Sequence, residues 1–98
     1  YWPEANDPVA GSFMAWPLPG FPTRPKLTAR YAAETGRDVT DVGFWQVLAL
    51  WKLSIIAEGV MRRAEADARN RADAGTPTTT LIDDILTRAL STADEIGI

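Results

Sequence analysis

The side chains that most often carry out catalytic chemistry are missing from this chain of 98 residues. It contains no histidine and no cysteine, so it has no imidazole base, no thiolate nucleophile and neither of the commonest zinc ligands. Disulfide bonds are excluded for the same reason. Carboxylates, hydroxyls and amines remain as possible acids, bases and ligands. An enzyme built from these residues alone would have few catalytic groups.

One lysine interrupts the longest apolar run of the sequence. Lys52 lies within residues 42–57 and, on a helix, shares a face with Trp45 and Ile56. In one interpretation its stem packs on Trp45 while its ammonium group meets a carboxylate from another part of the protein. In the other, it is a cation at the floor of a pocket that binds an anionic or hydroxylated substrate, since an unpaired buried charge is costly.

Trp16 is a further candidate, either as a wall of the same pocket or as an aromatic group that docks on another surface. We expect Glu58 to pair with Arg62 one helical turn away. Asp83 and Asp84 are adjacent, so on a helix they point about 100° apart and make a poor metal site. The predicted acceptor-pocket residues are therefore Lys52, Trp45 and Trp16, with no catalytic, metal or cofactor residue.

Composition limits the classes of partner. The net charge is −3, the sequence pI is about 4.8 and 46% of the residues are hydrophobic, which predicts a globular protein that binds neither nucleic acid nor an anionic membrane. The apolar run of residues 42–57 is shorter than the roughly 20 residues of a membrane span. We expect one cytoplasmic domain over residues 1–98. Because residue 1 is Tyr rather than Met, we also expect it to be part of a longer protein.

The pattern of residues predicts an all-α fold. Six of the seven prolines lie in residues 1–25, so we expect an irregular segment over residues 1–22 that docks through its large apolar side chains. Three helices follow at about 24–35, 42–71 and 81–94. The expected N-caps are Thr23 for the first helix, Asp41 or Thr40 for the second and Thr80 for the third; Gly36 is the expected stop of the first.

The second predicted helix is apolar on every side in its first half and charged in its second half. An all-round apolar helix must be covered on all sides. One short helix and one amphipathic helix cannot do this, even with the proline-rich segment added. We therefore expect either a missing part of the same protein or a second copy to cover it. Gly59 costs about 1 kcal/mol relative to alanine in a helix interior, so we expect another backbone to approach it closely. Asp83 and Asp84 are expected in the first turn of the third helix, favoured by its dipole.

Several short motifs occur in a recognisable order over roughly residues 1–71. GFPTRPKLTARYAAETGRD is followed by FWQVLALWKLSIIAEGVMRR. The chain resembles the C-terminal end of the aminoglycoside and choline kinase-like phosphotransferases, in particular the branch related to the kinase-like domain of acyl-CoA dehydrogenase fusion proteins. The residues that carry the resemblance are Tyr1-Trp2-Pro3, Pro22-Thr23-Arg24, Leu27, Arg30-Tyr31, Thr35-Gly36-Arg37, Lys52-Leu53 and Glu58-Gly59.

The resemblance implies the acceptor-side helical part of an enzyme that transfers the γ-phosphate of ATP, with Mg²⁺, onto a hydroxyl of a small molecule. The family's nucleotide lobe, its catalytic loop with a His and an Asp, and its Asp-Trp-Glu-like metal loop have no counterpart in this sequence. We therefore expect the 98 residues alone to be inactive. The alternative is a non-catalytic helical module that assembles with itself or with another protein.

Overall fold

In the computed structural model of the protein, the part of the chain that the structure describes, residues 19–72 and 75–98, contains helices and no β-strand. Helix α1 spans Arg24–Thr35, α2 spans Val42–Ala66 and α3 spans Thr79–Ile96. A single 3₁₀ turn, Ala68–Asn70, follows α2. The all-α prediction is confirmed. Residues 1–18 of the predicted docking segment, residues 1–22, lie outside the described residues.

Helix α1 has the predicted bounds and caps. The Thr23 hydroxyl oxygen accepts a hydrogen bond from the backbone N–H of Lys26 at 3.4 Å, and Pro25 occupies the first turn, where its missing N–H costs nothing. Gly36 ends the helix with φ +68°, and its N–H donates to the Ala32 carbonyl at 2.9 Å. Glycine adopts this left-handed conformation without strain.

Helix α2 ends at Ala66, five residues earlier than predicted. Asp67 is extended (φ −150°, ψ 121°), and its carboxylate accepts a hydrogen bond from the backbone N–H of Arg69 at 2.9 Å. Aspartate competes with the helix in this way, which the alanine-rich pattern concealed. The side chains of Asn70 and Arg71 donate to the carbonyls of Arg63 and Ala64. At the other end, the predicted cap residue Asp41 makes no capping side-chain bond.

Helix α3 begins two residues before the predicted start because Thr78, not Thr80, is its N-cap. The Thr78 hydroxyl accepts a hydrogen bond from the backbone N–H of Leu81 at 3.2 Å. The earlier start places Asp83 and Asp84 beyond the first turn, which contains no acidic residue. The prediction that they complement the first turn of the helix dipole is therefore wrong, since that interaction fades within one turn.

Helices α2 and α3 form an antiparallel hairpin with a small apolar core. Leu50 and Ile85 are fully buried at its centre, next to Ala89, with Leu53 and Leu81 packed around them. The start of α2 meets the end of α3, where a Cβ added to Gly43 would lie 2.7 Å from Cγ2 of Ile96. The core thus covers one side of α2 only.

Helix α1 lies apart from this hairpin. None of its residues is buried, and none of its Cα atoms lies within 8 Å of a Cα atom in α2 or α3. The loop of residues 36–41 connects α1 to the start of α2. The prediction that the chain's own helices cannot enclose α2 is consistent with this arrangement.

Among the described residues, α2 is long and apolar enough to cross a membrane by length and composition, and most of it is exposed. Core helices of water-soluble proteins, which are mostly buried, and signal sequences pass the same test. Helix α3, which packs along α2, has exposed carboxylates at Asp83, Asp84 and Glu95. Placing the hairpin in lipid would bring these charges with it, at a cost of several kcal/mol.

Candidate functional site

Helix α2 exposes aromatic side chains on two surfaces that could contact another molecule: a notch between α1 and α2, and the uncovered face of α2. The notch is a cavity of about 360 Å³. Its aromatic walls are Tyr31 of α1 and Trp45 of α2, and the connecting loop contributes Arg37, Asp38 and Asp41. Thr28, Val39 and Val42 complete the lining.

The notch is organised by hydrogen bonds of the α1–α2 loop. Nη1 of Arg37 donates to the phenolic oxygen of Tyr31 at 3.1 Å, which ties the loop to α1. The Asp38 carboxylate accepts hydrogen bonds from the hydroxyl of Thr40 at 2.5 Å and from its backbone N–H at 2.9 Å. These bonds hold the pKa of Asp38 below its ordinary value of 3.8, and the bond from the Thr40 hydroxyl makes the larger contribution. Asp38 is therefore a stable anion at neutral pH.

Trp45 is the predicted site residue that the structure places in the notch. Its side chain is 61% exposed, and its ring meets the ring of Phe44 edge-to-face, with centroids 5.3 Å apart and an interplanar angle of 82°. Such aromatic pairs are stabilised by their ring quadrupoles. An exposed aromatic wall next to a few polar groups is typical of small-molecule sites.

Lys52, the second predicted pocket residue, does not join Trp45. Lys52 is not part of the notch lining; it lies two helical turns, about 10.5 Å of rise, from Trp45. Within residues 19–72 and 75–98, Lys52 makes no ion pair and no cation–π contact. Trp16 lies outside the described residues. Its acceptor-pocket role, like that of Lys52, stays a prediction.

The sequence did not point to Tyr31, Arg37, Asp38 or Asp41 as site residues. Arg37 and Asp38 follow directly after the glycine that ends α1, and loops at such helix ends often hold functional groups. Their position after that glycine was the feature of the sequence that could have indicated a site. The groups in the notch can bind and orient a polar ligand; among the described residues, no group of three or more carboxylates could hold a metal ion.

The uncovered face of α2 contains four large apolar residues in one line. Phe44, Trp51 and Ile55 are 48%, 52% and 53% exposed, and Leu48 lies between them at helical spacing. We call Phe44, Leu48, Trp51 and Ile55 the seam. Trp45, Lys52 and Ile56 flank it on one side, and each of them is exposed. The core residue Leu50 points the opposite way, toward α3.

Two expectations for the charged half of α2 have different outcomes. The predicted pair of Glu58 and Arg62 is confirmed, with Nε of Arg62 donating to the carboxylate at 2.8 Å. The predicted close approach of another backbone to Gly59 is wrong for the described chain. A Cβ added there would meet only the flexible guanidinium of Arg63, at 3.3 Å.

Comparison with known proteins adds no relative to these observations. No family model, no curated protein and no solved structure matches the chain.

Proposed function

We propose that this chain is the acceptor-side helical part of a kinase-like phosphotransferase, which transfers the γ-phosphate of ATP, with Mg²⁺, to a hydroxyl of a small molecule. The observation that carries the proposal is the notch. Two of the motifs in the kinase resemblance, Arg30-Tyr31 and Thr35-Gly36-Arg37, supply two residues that are hydrogen-bonded to each other there, at 3.1 Å. A cavity of about 360 Å³ is large enough for a small acceptor.

In this proposal the 98 residues bind and orient the acceptor and do not perform the chemistry. Phosphoryl transfer relies mainly on positioning and on neutralising charge, and the nucleotide site and the catalytic base come from parts outside this sequence. Trp45 and Tyr31 form the walls, while Arg37 and Asp38 offer a donor and an acceptor to a hydroxylated ligand. ATP and Mg²⁺ would be bound by those other parts.

The test is a transfer assay on the longer protein that contains this chain, with radiolabelled ATP, Mg²⁺ and a panel of small alcohols and sugars. Trp45→Ala and Tyr31→Phe should raise the KM for the acceptor roughly 10-fold, as expected for the loss of one apolar wall or one anchored contact. The KM for ATP should not change. Leu90→Ala is the matched control, because Leu90 is 70% exposed on α3 and is not part of the notch.

Two results would contradict the proposal. One is the absence of any Mg²⁺- and ATP-dependent transfer by the longer protein. The other is measurable turnover by the isolated 98 residues, since these contain no catalytic loop. A KM for ATP that rises together with the KM for the acceptor would place the notch on the nucleotide side instead.

A second candidate is a non-catalytic helical interaction module, and the exposed seam on α2 favours it. Soluble monomers rarely leave several large apolar side chains exposed in one patch. The two candidates are separable, because a module of this kind predicts assembly through the seam and no effect of the notch on any reaction.

A further inference from the structure

The seam has a symmetry that points to its occupant. Phe44, Leu48, Trp51 and Ile55 are spaced by four, three and four residues, so the order of spacings is the same when read in either direction. Its midpoint falls between Ala49 and Leu50, which is also the midpoint of the apolar run of residues 42–57. We propose that two copies of this chain pair antiparallel through the seam, with a two-fold axis at this midpoint.

This arrangement pairs every large apolar residue of the seam with another. Reversing one helix about the midpoint places Phe44 opposite Ile55 of the second copy, and Leu48 opposite Trp51 of the second copy. Spacings of three and four keep such residues on one stripe of a helix, which is the pattern of antiparallel helix packing. The charged half of α2, from Glu58 onward, then extends past the apolar contact at both ends and stays in water.

The antiparallel order also gives Lys52 a partner. Lys52 and Trp45 lie on the same flank of the seam, and under this two-fold axis residues of one flank meet the same flank of the second copy. Lys52 then lies within two residues of helix rise, about 3 Å, of the level of Trp45 in the second copy. Its ammonium can rest on that indole face as a cation–π contact, formed twice in the dimer.

The area available is enough for a dimer of moderate affinity. The exposed parts of the seam and its flank amount to roughly 600 Å² per copy, since a whole aromatic side chain contributes 150–250 Å². Two copies would bury about 1,200 Å², the lower limit of stable interfaces. The opposite side of α2 is already occupied by α3 around Leu50 and Ile85, so the result is a four-helix layer in the order α3, α2, α2, α3.

A membrane is the less favoured occupant of the same face. Insertion of the whole hairpin in lipid would bring the exposed carboxylates of Asp83 and Asp84 with it, and docking of the seam alone on a membrane would bring Lys52 toward the lipid. A second copy leaves those carboxylates in water, because α3 lies on the far side of the pair.

The first test is sedimentation of the 98-residue chain from about 1 µM to about 500 µM. Ile55→Glu places a charge at the end of the seam opposite Phe44 of the second copy, twice per dimer, and should raise the dissociation constant at least about 100-fold. Leu90→Glu is the matched control: Leu90 is 70% exposed on α3 and lies outside the seam, so this variant should dimerise like the parent chain. Circular dichroism of both variants checks that the helices are intact.

The second test determines the orientation, and the absence of cysteine in the chain allows it. A mixture of Phe44→Cys and Ile55→Cys chains should form mixed disulfide dimers under mild oxidation, because the two positions face each other. Neither variant should cross-link with itself. The same position in the two copies lies about 16 Å apart along the helix axis, which is beyond the reach of a disulfide. Both positions are exposed, so the substitutions leave the core unchanged.

Three results would overturn the inference: a monomer at every concentration, equal effects of Ile55→Glu and Leu90→Glu, or cross-linking of each cysteine variant with itself. Binding of the parent chain to neutral lipid vesicles that abolishes the dimer would assign the face to a membrane and overturn it as well. None of these measurements involves ATP or an acceptor. Their failure leaves the proposed phosphotransferase function untouched, and failure of the transfer assay leaves the dimer untouched.

Discussion

At the scale of single residues, the notch depends on short side chains that fix the α1–α2 loop. Asp38 accepts two hydrogen bonds from Thr40, and Arg37 donates to Tyr31. All four of these residues are exposed, so each bond contributes little to stability on its own. Their role is to hold a loop of six residues in one conformation next to Trp45. A pocket on such a loop is preorganised without a buried core beneath it.

The lowered pKa of Asp38 gives a prediction at this scale. A carboxyl group whose pKa is depressed in the folded protein stabilises it above the ordinary value of 3.8, and this contribution is lost as the pH falls through the lower, folded value. A carboxyl ¹³C titration by NMR should therefore place the Asp38 midpoint below 3.8. Thr40→Ala should move the midpoint upward, because it removes the hydroxyl donor that is the larger cause.

Thr28→Ala is the control for that titration, since Thr28 lines the same notch but donates its hydroxyl to the Arg24 carbonyl instead. It should leave the Asp38 midpoint where it is. An Asp38 midpoint at or above 3.8 in the parent chain would show that the loop does not hold the conformation described.

At the scale of secondary structure, helix starts and stops depend on which polar side chain reaches the backbone. Three threonines in a row, Thr78, Thr79 and Thr80, offer three possible starts for α3, and the sequence gives no reason to prefer the first. The same holds for the end of α2, where Asp67 turns back onto Arg69 and stops a helix that alanines would continue. The presence of each helix was predictable from the spacing of apolar residues. The positions of these helix ends could be assigned only from the hydrogen bonds in the structure.

The N-cap of α3 provides the prediction at this scale. Thr78→Ala should lower the free energy of unfolding by about 1 kcal/mol, because the Leu81 N–H loses its side-chain acceptor. Thr80→Ala is the matched control and should change it by less than about 0.5 kcal/mol. Urea denaturation followed by circular dichroism, at one protein concentration, measures both. A larger loss for Thr80→Ala than for Thr78→Ala would move the cap to Thr80.

At the scale of the whole molecule, the described chain is a helical hairpin with an attached helix. The core around Leu50 and Ile85 stabilises the hairpin, and within residues 19–72 and 75–98 α1 is connected to it through the loop and the notch. Helix α3 covers one side of α2, and the opposite side is exposed in the described chain. In the two proposals, the acceptor site and the assembly surface would adjoin each other on α2, and Trp45 would belong to both.

Closure of the hairpin gives the prediction at this scale. A Cβ at Gly43 would lie 2.7 Å from Cγ2 of Ile96, closer than real side chains approach. Gly43→Ala should raise the free energy of unfolding by about 1 kcal/mol, because alanine favours the helix. Overlap of the new Cβ with Ile96 should lower it by a similar amount. In an Ile96→Ala background the overlap is gone, so the same substitution should be more stabilising there by at least about 0.5 kcal/mol.

Gly59→Ala is the control for this cycle. Its new Cβ would meet only a flexible arginine side chain, so it should stabilise α2 equally in both backgrounds. Urea denaturation of the four combinations gives the coupling free energy. A coupling near zero between positions 43 and 96 would mean that the start of α2 and the end of α3 are not in contact.

The sequence by itself determined that the described chain is all-α, where α1 begins and ends, that α2 has more apolar surface than α1 and α3 cover, and which carboxylate pairs with Arg62. These features follow from local spacing, from proline and glycine, and from contacts one turn apart. Only the tertiary structure decided that Trp45 joins Tyr31 and Arg37 while Lys52 does not, and that α3 leaves the seam open. These two features depend on how the loop of residues 36–41 directs α1 relative to α2 and on which side of α2 the core forms. Side-chain spacing within one helix contains no information about either.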